Sequence, residues 1–305
     1  MSLLSQVVKG KIKKPILTII YGPDGVGKST FGSEAPSPIF LGTEDGTASL
    51  DVARFPKPSD FAGVQAAISE LITDKHEYKT LVIDSLDWLE TMVHKSICER
   101  DGSKTINQAQ GGYGNGVEVA LGAWRELQTQ LTQLREKRGM NIILIAHSQV
   151  KDFHDPTQNM AYSRFLLKLN EKAAALWREY VDSVLFANFK VVATKEKSDK
   201  KAKSFGDGER ALYTERRPAF DAKNRLALPY EIDFDLGSSW KTFFELAQQG
   251  DPDSSDVILK ELSDLEPKIM NLETREKMKL AVKNAGTDVG KLSQIRNHAR
   301  TIAEL

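Results

Sequence analysis

The sequence predicts an α/β protein built on a mostly parallel twisted sheet flanked by helices, with a small helical C-terminal appendage. Two observations point there. Continuous apolar runs, of the kind that form strands buried on both faces, alternate with amphipathic helical patterns from about residue 15 to 190. Beyond a turn-rich GDPDSSD linker, the tail reads as helices broken at Gly286 and Gly290.

Taken in order, Pro15–Tyr21 (PILTIIY), Pro38–Gly42 (PIFLG), Thr80–Asp84 (TLVID) and Asn141–Ala146 (NIILIA) are the buried strands. Helical periodicity covers Asp60–Thr73, Ser85–Arg100, Val117–Lys137 and Phe165–Tyr180. Val181–Thr194 and Arg210–Glu215 read as two further strands joined by a polar, Lys-rich connector expected to be mobile, and Trp240–Gln249 closes the core as a helix. This divides the chain into a core over 1–249 and a linker with helical appendage over 250–305. No internal repeat is evident.

With 305 residues the chain can bury a sizeable core without metal or disulfide staples. Forty-two Lys and Arg balance 42 Asp and Glu, which excludes coating of nucleic acid by bulk charge and leaves only local patches for an anionic partner. The tail, with 10 acidic and 9 basic residues over 251–305, is no charged arm either. The single Cys98 excludes an internal disulfide or cysteine metal cluster and suits a reducing compartment. No apolar run of membrane-spanning length and no secretory leader pattern occur, so a cytoplasmic location is expected.

The chemistry is carried first by Gly22-Pro23-Asp24-Gly25-Val26-Gly27-Lys28-Ser29, which fits G-x-x-x-x-G-K-[ST] between a strand and a helix. Such a loop turns its N–H groups toward a phosphate chain. Lys28 is placed to reach the β- and γ-phosphates of ATP, and Ser29, with Thr30 beside it, to ligate Mg²⁺. Asp84, ending the TLVID strand, sits at the ligand-binding edge of a parallel sheet, where it can hold Mg²⁺ through water. Ser85 follows it, so the group that orients the attacking water must come from elsewhere. Glu44 in GTEDG is the first choice, with Asp45 as alternative. At the end of the fourth strand, His147 and Gln149 of AHSQV are both candidates to feel the γ-phosphate.

Together GPDGVGKST, GTEDG, VIDS and HSQV resemble the RecA-like recombinase and helicase group, over about residues 15 to 230. The resemblance implies Asp84 as the metal-side carboxylate, Glu44 as the catalytic carboxylate and Gln149 as the γ-phosphate sensor. Lys223 and Arg225 in PAFDAKNR resemble the Lys-x-Arg pair that RecA-like hexamers insert beside a neighbour's nucleotide. The chain as a whole looks most like phage-encoded, core-only RecA-like ATPases of single-strand annealing and recombination, which act in a bacterial host. Because the phosphate loop starts at residue 22, subunit contacts fall to something small, such as Leu3, Leu4, Val7 and Val8.

The same resemblance assigns single-stranded DNA to two loops. One is Gly-rich, flexible, and carries Tyr113. The other, Lys151–Arg164, offers Lys151, Phe153, His154, Tyr162 and Arg164. A Lys-rich tip with Lys195, Lys197, Lys200, Lys201 and Lys203 is a further source of phosphate contacts. The expected protein is therefore a Mg²⁺-dependent, DNA-stimulated ATPase that binds single-stranded DNA as a filament or ring of its own copies. A single-strand-binding protein is a candidate partner. Ring helicase, nucleotide-gated scaffold and small-molecule kinase, the last with Arg164 and Arg178 as lid residues, are the rival readings.

Overall fold

The computed structural model describes residues 7, 14–44, 46–154, 160–190, 192–194, 203–205, 208–249, 255–269 and 271–303. Asp45, the N-terminal Leu3, Leu4 and Val8, and the tip lysines 195, 197, 200 and 201 lie outside the described residues.

Four parallel strands make the centre: β1 (Leu17–Gly22), β2 (Pro38–Gly42), β4 (Thr80–Asp84) and β5 (Asn141–Phe153), with β7 (Ser183–Phe189) parallel to β1 on its other side. The short β3 (Ala53–Arg54) joins β2 at one edge. At the other, β10 (Arg210–Tyr213) runs antiparallel to β7 and β12 (Glu231–Asp233) antiparallel to β10, giving the order β12-β10-β7-β1-β5-β4-β2-β3. β1 and β4 are buried at every residue, as the uninterrupted apolar reading requires of strands covered on both faces.

One face of the sheet is covered by α2 (Phe61–Thr73), α3 (Leu86–Asp101), α4 (Asn115–Arg138) and α5 (Glu171–Tyr180). Their buried stripes meet Leu17, Ile19, Leu81, Ile83, Ile142 and Leu144. The opposite face is covered by α1 (Lys28–Ser33) and α6 (Ser239–Gln249), where Phe31 packs edge-on against Trp240 and Phe243 beneath Ile20, Val82 and Ile143. The C-terminal α7 (Ser255–Leu265), α8 (Leu272–Ala285) and α9 (Val289–Ala303) bury a separate apolar cluster that includes Ile258, Leu262 and Leu292. No helix among the described residues is long and apolar enough to cross a membrane.

Three expectations change. β5 does not stop at Ala146 but continues to Phe153 and turns back antiparallel into β6 (Tyr162–Leu167), so Phe165–Leu167, expected in a helix, is strand. The helix starts only at Glu171, where the Asn170 side chain accepts the Lys172 N–H as an N-cap. Within the expected strand Val181–Thr194 lie β7 and a separate β8 (Val192–Thr194), and β8 pairs antiparallel with β9 (Lys203–Phe205) of the Lys-rich connector. Finally, β11 (Lys223–Asn224) pairs with the first residues of β7.

Candidate functional site

The carboxyl ends of β1, β2, β4 and β5 open on a cleft of about 310 Å³ lined by phosphate-loop residues with Glu44, Asp84, His147 and Leu236. Its geometry starts with Gly22. A Cβ there would lie 2.1 Å from the Ala187 carbonyl oxygen, so only glycine lets β7 close on the end of β1. The loop then turns with Gly27 in the left-handed region (φ 106°) and enters α1, which starts at Lys28.

Lys28 is 6% exposed and donates to the Gly22 and Pro23 carbonyls at 3.1 and 2.9 Å. Burial lowers its pKa, and the surrounding carboxylates of Asp24, Asp84, Asp87 and Glu44 oppose that shift. Ser29 Oγ donates to Asp84 Oδ2 at 2.6 Å. Asp84 is pushed above the ordinary carboxylate range by burial, against the pull of the Ser29 hydrogen bond and Lys28. A hydroxyl and a carboxylate facing each other at the cleft floor are hard oxygen donors, the donor set suited to Mg²⁺ with phosphate and water filling the rest.

Glu44 reaches the cleft because Thr43 is clamped to the end of β4. The Thr43 N–H donates to the Asp84 carbonyl at 2.7 Å; its hydroxyl accepts the Ser85 N–H at 2.8 Å and donates to the Ser85 carbonyl at 2.9 Å. The residue after Asp84 is thus occupied in holding the Glu44 loop, and the carboxylate is supplied from the next strand over. Burial raises the Glu44 pKa, while His147 and a Trp88 hydrogen bond pull it back.

His147 and Gln149 lie on the same face of β5, but two residues of strand carry Gln149 about 6.6 Å farther past the edge of the sheet. Its amide donates to the Leu167 and Leu169 carbonyls at 2.8 and 3.3 Å, pinning the turn from β6 to α5. Gln149 therefore does not line the cleft; His147 does. Sequence reasoning missed Asp87, whose carboxylate accepts from His147 Nδ1 at 2.9 Å and from the His147 backbone N–H at 3.1 Å. Burial works against the Asp87 carboxylate, but these bonds prevail and hold its pKa below the usual range. The available signal was position: Asp87 stands in the first turn of α3, three residues after the strand-end Asp84. Leu236, packed over Gly27, was also missed, since nothing local marks it.

Lys223 and Arg225 lie at the other end of the sheet. β11 pairs Lys223 with Val184 and Asn224 with Ser183, at the start of β7, whereas the phosphate loop leaves the far end of β1. Lys223 donates to the carbonyls of Arg178, Glu179 and Val181 at 2.5, 3.0 and 2.6 Å, closing the C-terminus of α5. It is a helix cap, not a projecting cation; of the pair, Arg225 alone is exposed.

The two loops assigned to DNA differ from expectation in opposite ways. Arg164 is 2% exposed and bonded to the Phe220 carbonyl and to Asp221, which Arg178 and Arg216 also approach. Arg164 is a core residue whose guanidinium is turned to Asp221 and the Phe220 carbonyl, and neither it nor Arg178 is a free lid arginine. Phe153 and Tyr162 face each other across the β5–β6 hairpin at 5.7 Å, with Arg164 stacked over Phe153. The Gly-rich segment is a built turn and not a slack loop. Five consecutive residues, Gln110 to Gly114, have positive φ (57°, 80°, 81°, 52° and 86°), held by Gln110 bonds to Asp101 and by Asn115 Nδ2 to the Gln110 carbonyl. They leave Tyr113 fully exposed. Starting at the next residue, a groove of about 320 Å³ is lined by Gly114, Val117, Lys151, Asn170, Glu171 and Lys172.

The AAA domain family matches residues 14–226, which include every cleft residue named above except Leu236, and the chain belongs to this family of P-loop ATPases. No curated protein matches the chain.

Proposed function

We propose that this P-loop ATPase is a single-strand-DNA-dependent recombination or annealing protein that acts as a homo-oligomer. The observation that carries the reading is the juxtaposition of Tyr113 with the Lys151–Lys172 groove. Five residues in left-handed backbone geometry, two of them not glycine, hold one aromatic ring fully in solvent, a costly arrangement of the kind found at functional sites. A base stacked on such a ring gains about 1–3 kcal/mol. Lys151 and Lys172, each paired with a surface glutamate, flank the groove where phosphates would run. The resemblance of the phosphate loop, GTEDG and VIDS segments to RecA-like proteins supports the same assignment.

In this reading Lys28 and the loop N–H groups bind the ATP phosphates, Ser29 and Asp84 hold Mg²⁺, and Glu44 orients the attacking water. The metal, when bound, neutralises charge on the phosphate oxygens. Nucleotide state reaches the groove through α3. Asp87 holds His147 at the cleft, and one turn later Glu90 accepts the Asn170 N–H at 3.0 Å beside the groove. With zero net charge and two lysines lining the groove, firm binding requires many copies on one strand. The test is phosphate release with and without single-stranded DNA, alongside electron microscopy with that DNA and a non-hydrolysable ATP analogue. DNA-stimulated hydrolysis and filaments or rings on DNA are expected; hydrolysis indifferent to DNA, with no assembly, would overturn the proposal.

A further inference from the structure

Away from the nucleotide cleft, one buried carboxylate is shared by three arginines. Asp221 is 5% exposed. Arg164 Nη2 lies 3.3 Å from its Oδ1, Arg178 Nη1 bonds its Oδ2, and Arg216 Nε stands 3.6 Å from Oδ1. Guanidiniums stay protonated, so the four side chains carry two positive charges in excess. Burial lowers the Arg164 pKa; Asp221 opposes that shift and Arg216 adds to it, as crowded cations do. Arg164 is the buried floor of the cluster. The Arg178 and Arg216 side chains are 36% and 62% exposed, and Asp221 engages one nitrogen of each, so both keep donors open to solvent.

Two elements connect this cluster to the groove. Along α5, Arg178 stands two turns after Glu171 on the same helical face, with half-buried Ala175 between them, a span of about 10.5 Å. Glu171 lines the groove and pairs with Lys151. On the β5–β6 ladder, Lys151 is directly opposite Arg164. Two residues farther along that ladder are Phe153 and Tyr162, both half-buried, their rings 5.7 Å apart, with Arg164 over Phe153 at 5.2 Å. We propose that Arg178 and Arg216 bind a backbone phosphate of single-stranded DNA, so that the strand held at the Lys151–Lys172 groove continues along α5 to the arginines. This rests on the DNA reading above. Planar guanidinium forks match two oxygens of one phosphate, and a phosphodiester brings one negative charge to a cluster with two positive charges in excess. Aromatic rings beside the cations favour a nucleic-acid strand over an inorganic anion, because bases have faces to stack on them. Asp221 is the positioning residue that holds the guanidiniums.

The test is fluorescence anisotropy of labelled oligothymidylate with the full-length protein and a non-hydrolysable ATP analogue, titrated between about 50 and 200 mM NaCl. Thermal unfolding is measured in parallel. R216Q should weaken binding about 10-fold at the low-salt end and make the slope of log affinity against log salt shallower by about 0.7, one phosphate contact. R216K should keep the slope and lose part of the affinity, because it retains the charge without the fork. R178Q should act in the same direction; because it also removes a partner of Asp221, the more exposed Arg216 carries the test should R178Q unfold. Wild-type affinity and slope in R216Q would overturn the proposal while leaving the DNA reading standing. So would intact DNA binding with lost hydrolysis that returns on mixing R216Q with K28A, which would put Arg216 against a neighbouring copy's nucleotide. No binding of the oligonucleotide by the wild type would overturn the DNA reading and this proposal with it.

Discussion

Ser29 and Asp84, 55 residues apart in the chain, are joined by a 2.6 Å hydrogen bond at the floor of the cleft. The bond ties the start of α1 to the end of β4, and it places a hydroxyl and a carboxylate where a metal bound to nucleotide would sit.

Asp84 is stabilised poorly as a charge. Burial raises its pKa, so the folded chain holds a proton there more readily than the unfolded chain does. The stability this group contributes is present below the ordinary aspartate value and is lost as pH rises through the raised one. D84N should therefore leave the nucleotide-free protein at least as stable as the wild type at pH 7–8. It should lose about 10² or more in Mg²⁺-dependent hydrolysis. Mg²⁺-ATP should raise the melting temperature of the wild type and not of D84N, as calorimetry would show.

Glu44 is predicted to be the carboxylate that orients water. Its pKa is raised by burial, which sets an acid limb of kcat above the ordinary glutamate range. E44Q should bind ATP normally and hydrolyse it about 10²-fold more slowly, with the acid limb gone. Equal turnover by E44Q and wild type would move the role to another group.

Glu90 is pushed up to about 7, chiefly by burial, with the Asn170 N–H pulling the other way. Its folded pKa exceeds the unfolded one, so its contribution to stability is complete below about 4.5 and declines as pH rises through 7. E90Q, which keeps an acceptor for Asn170, should stabilise the protein relative to wild type at pH 8 and much less at pH 5. Paired denaturant titrations at the two pH values test this.

Tyr113 is fully exposed, so Y113A should leave the melting temperature unchanged. Loss of one stacked base, about 1–3 kcal/mol, should weaken single-strand DNA binding by roughly 5- to 150-fold in fluorescence anisotropy. Unaltered binding would remove the groove from the DNA path.

K223A should behave as a stability variant. Three carbonyls at the end of α5 lose their donor, at a cost of about 1–3 kcal/mol, while kcat per folded protein holds. R225A should not destabilise, because that side chain is exposed. A kcat loss in K223A without loss of stability would return the residue to the reaction.

Much of the molecule could be read before it was folded. PIFLG and TLVID became strands with the predicted ends, because a strand buried on both faces leaves an unbroken apolar run. The phosphate loop was legible because its spacing is itself the geometry: a strand, a tight turn and a helix start, all local in sequence. Asp84 and Glu44 could be placed at the cleft because parallel strands deliver their carboxyl ends to one edge.

What remained turned on contacts between distant residues. Gln149 and His147 looked equivalent, and only the hairpin pairing of β5 with β6 brought the Leu167 and Leu169 carbonyls to Gln149 while Asp87 captured His147. Arg164 and Lys223 read as free cations, yet folding delivered Asp221 to one and three α5 carbonyls to the other. The glycines around Tyr113 read as slack, and Asp101 and Asn115 made them a fixed turn. The sequence by itself determined the buried central strands, most of the covering helices and the phosphate loop, since periodicity and close spacing are properties of the chain. The tertiary structure alone decided which polar side chains face the cleft and which are consumed in holding it, because a hydrogen bond depends on who arrives within 3 Å and not on who is nearby in sequence.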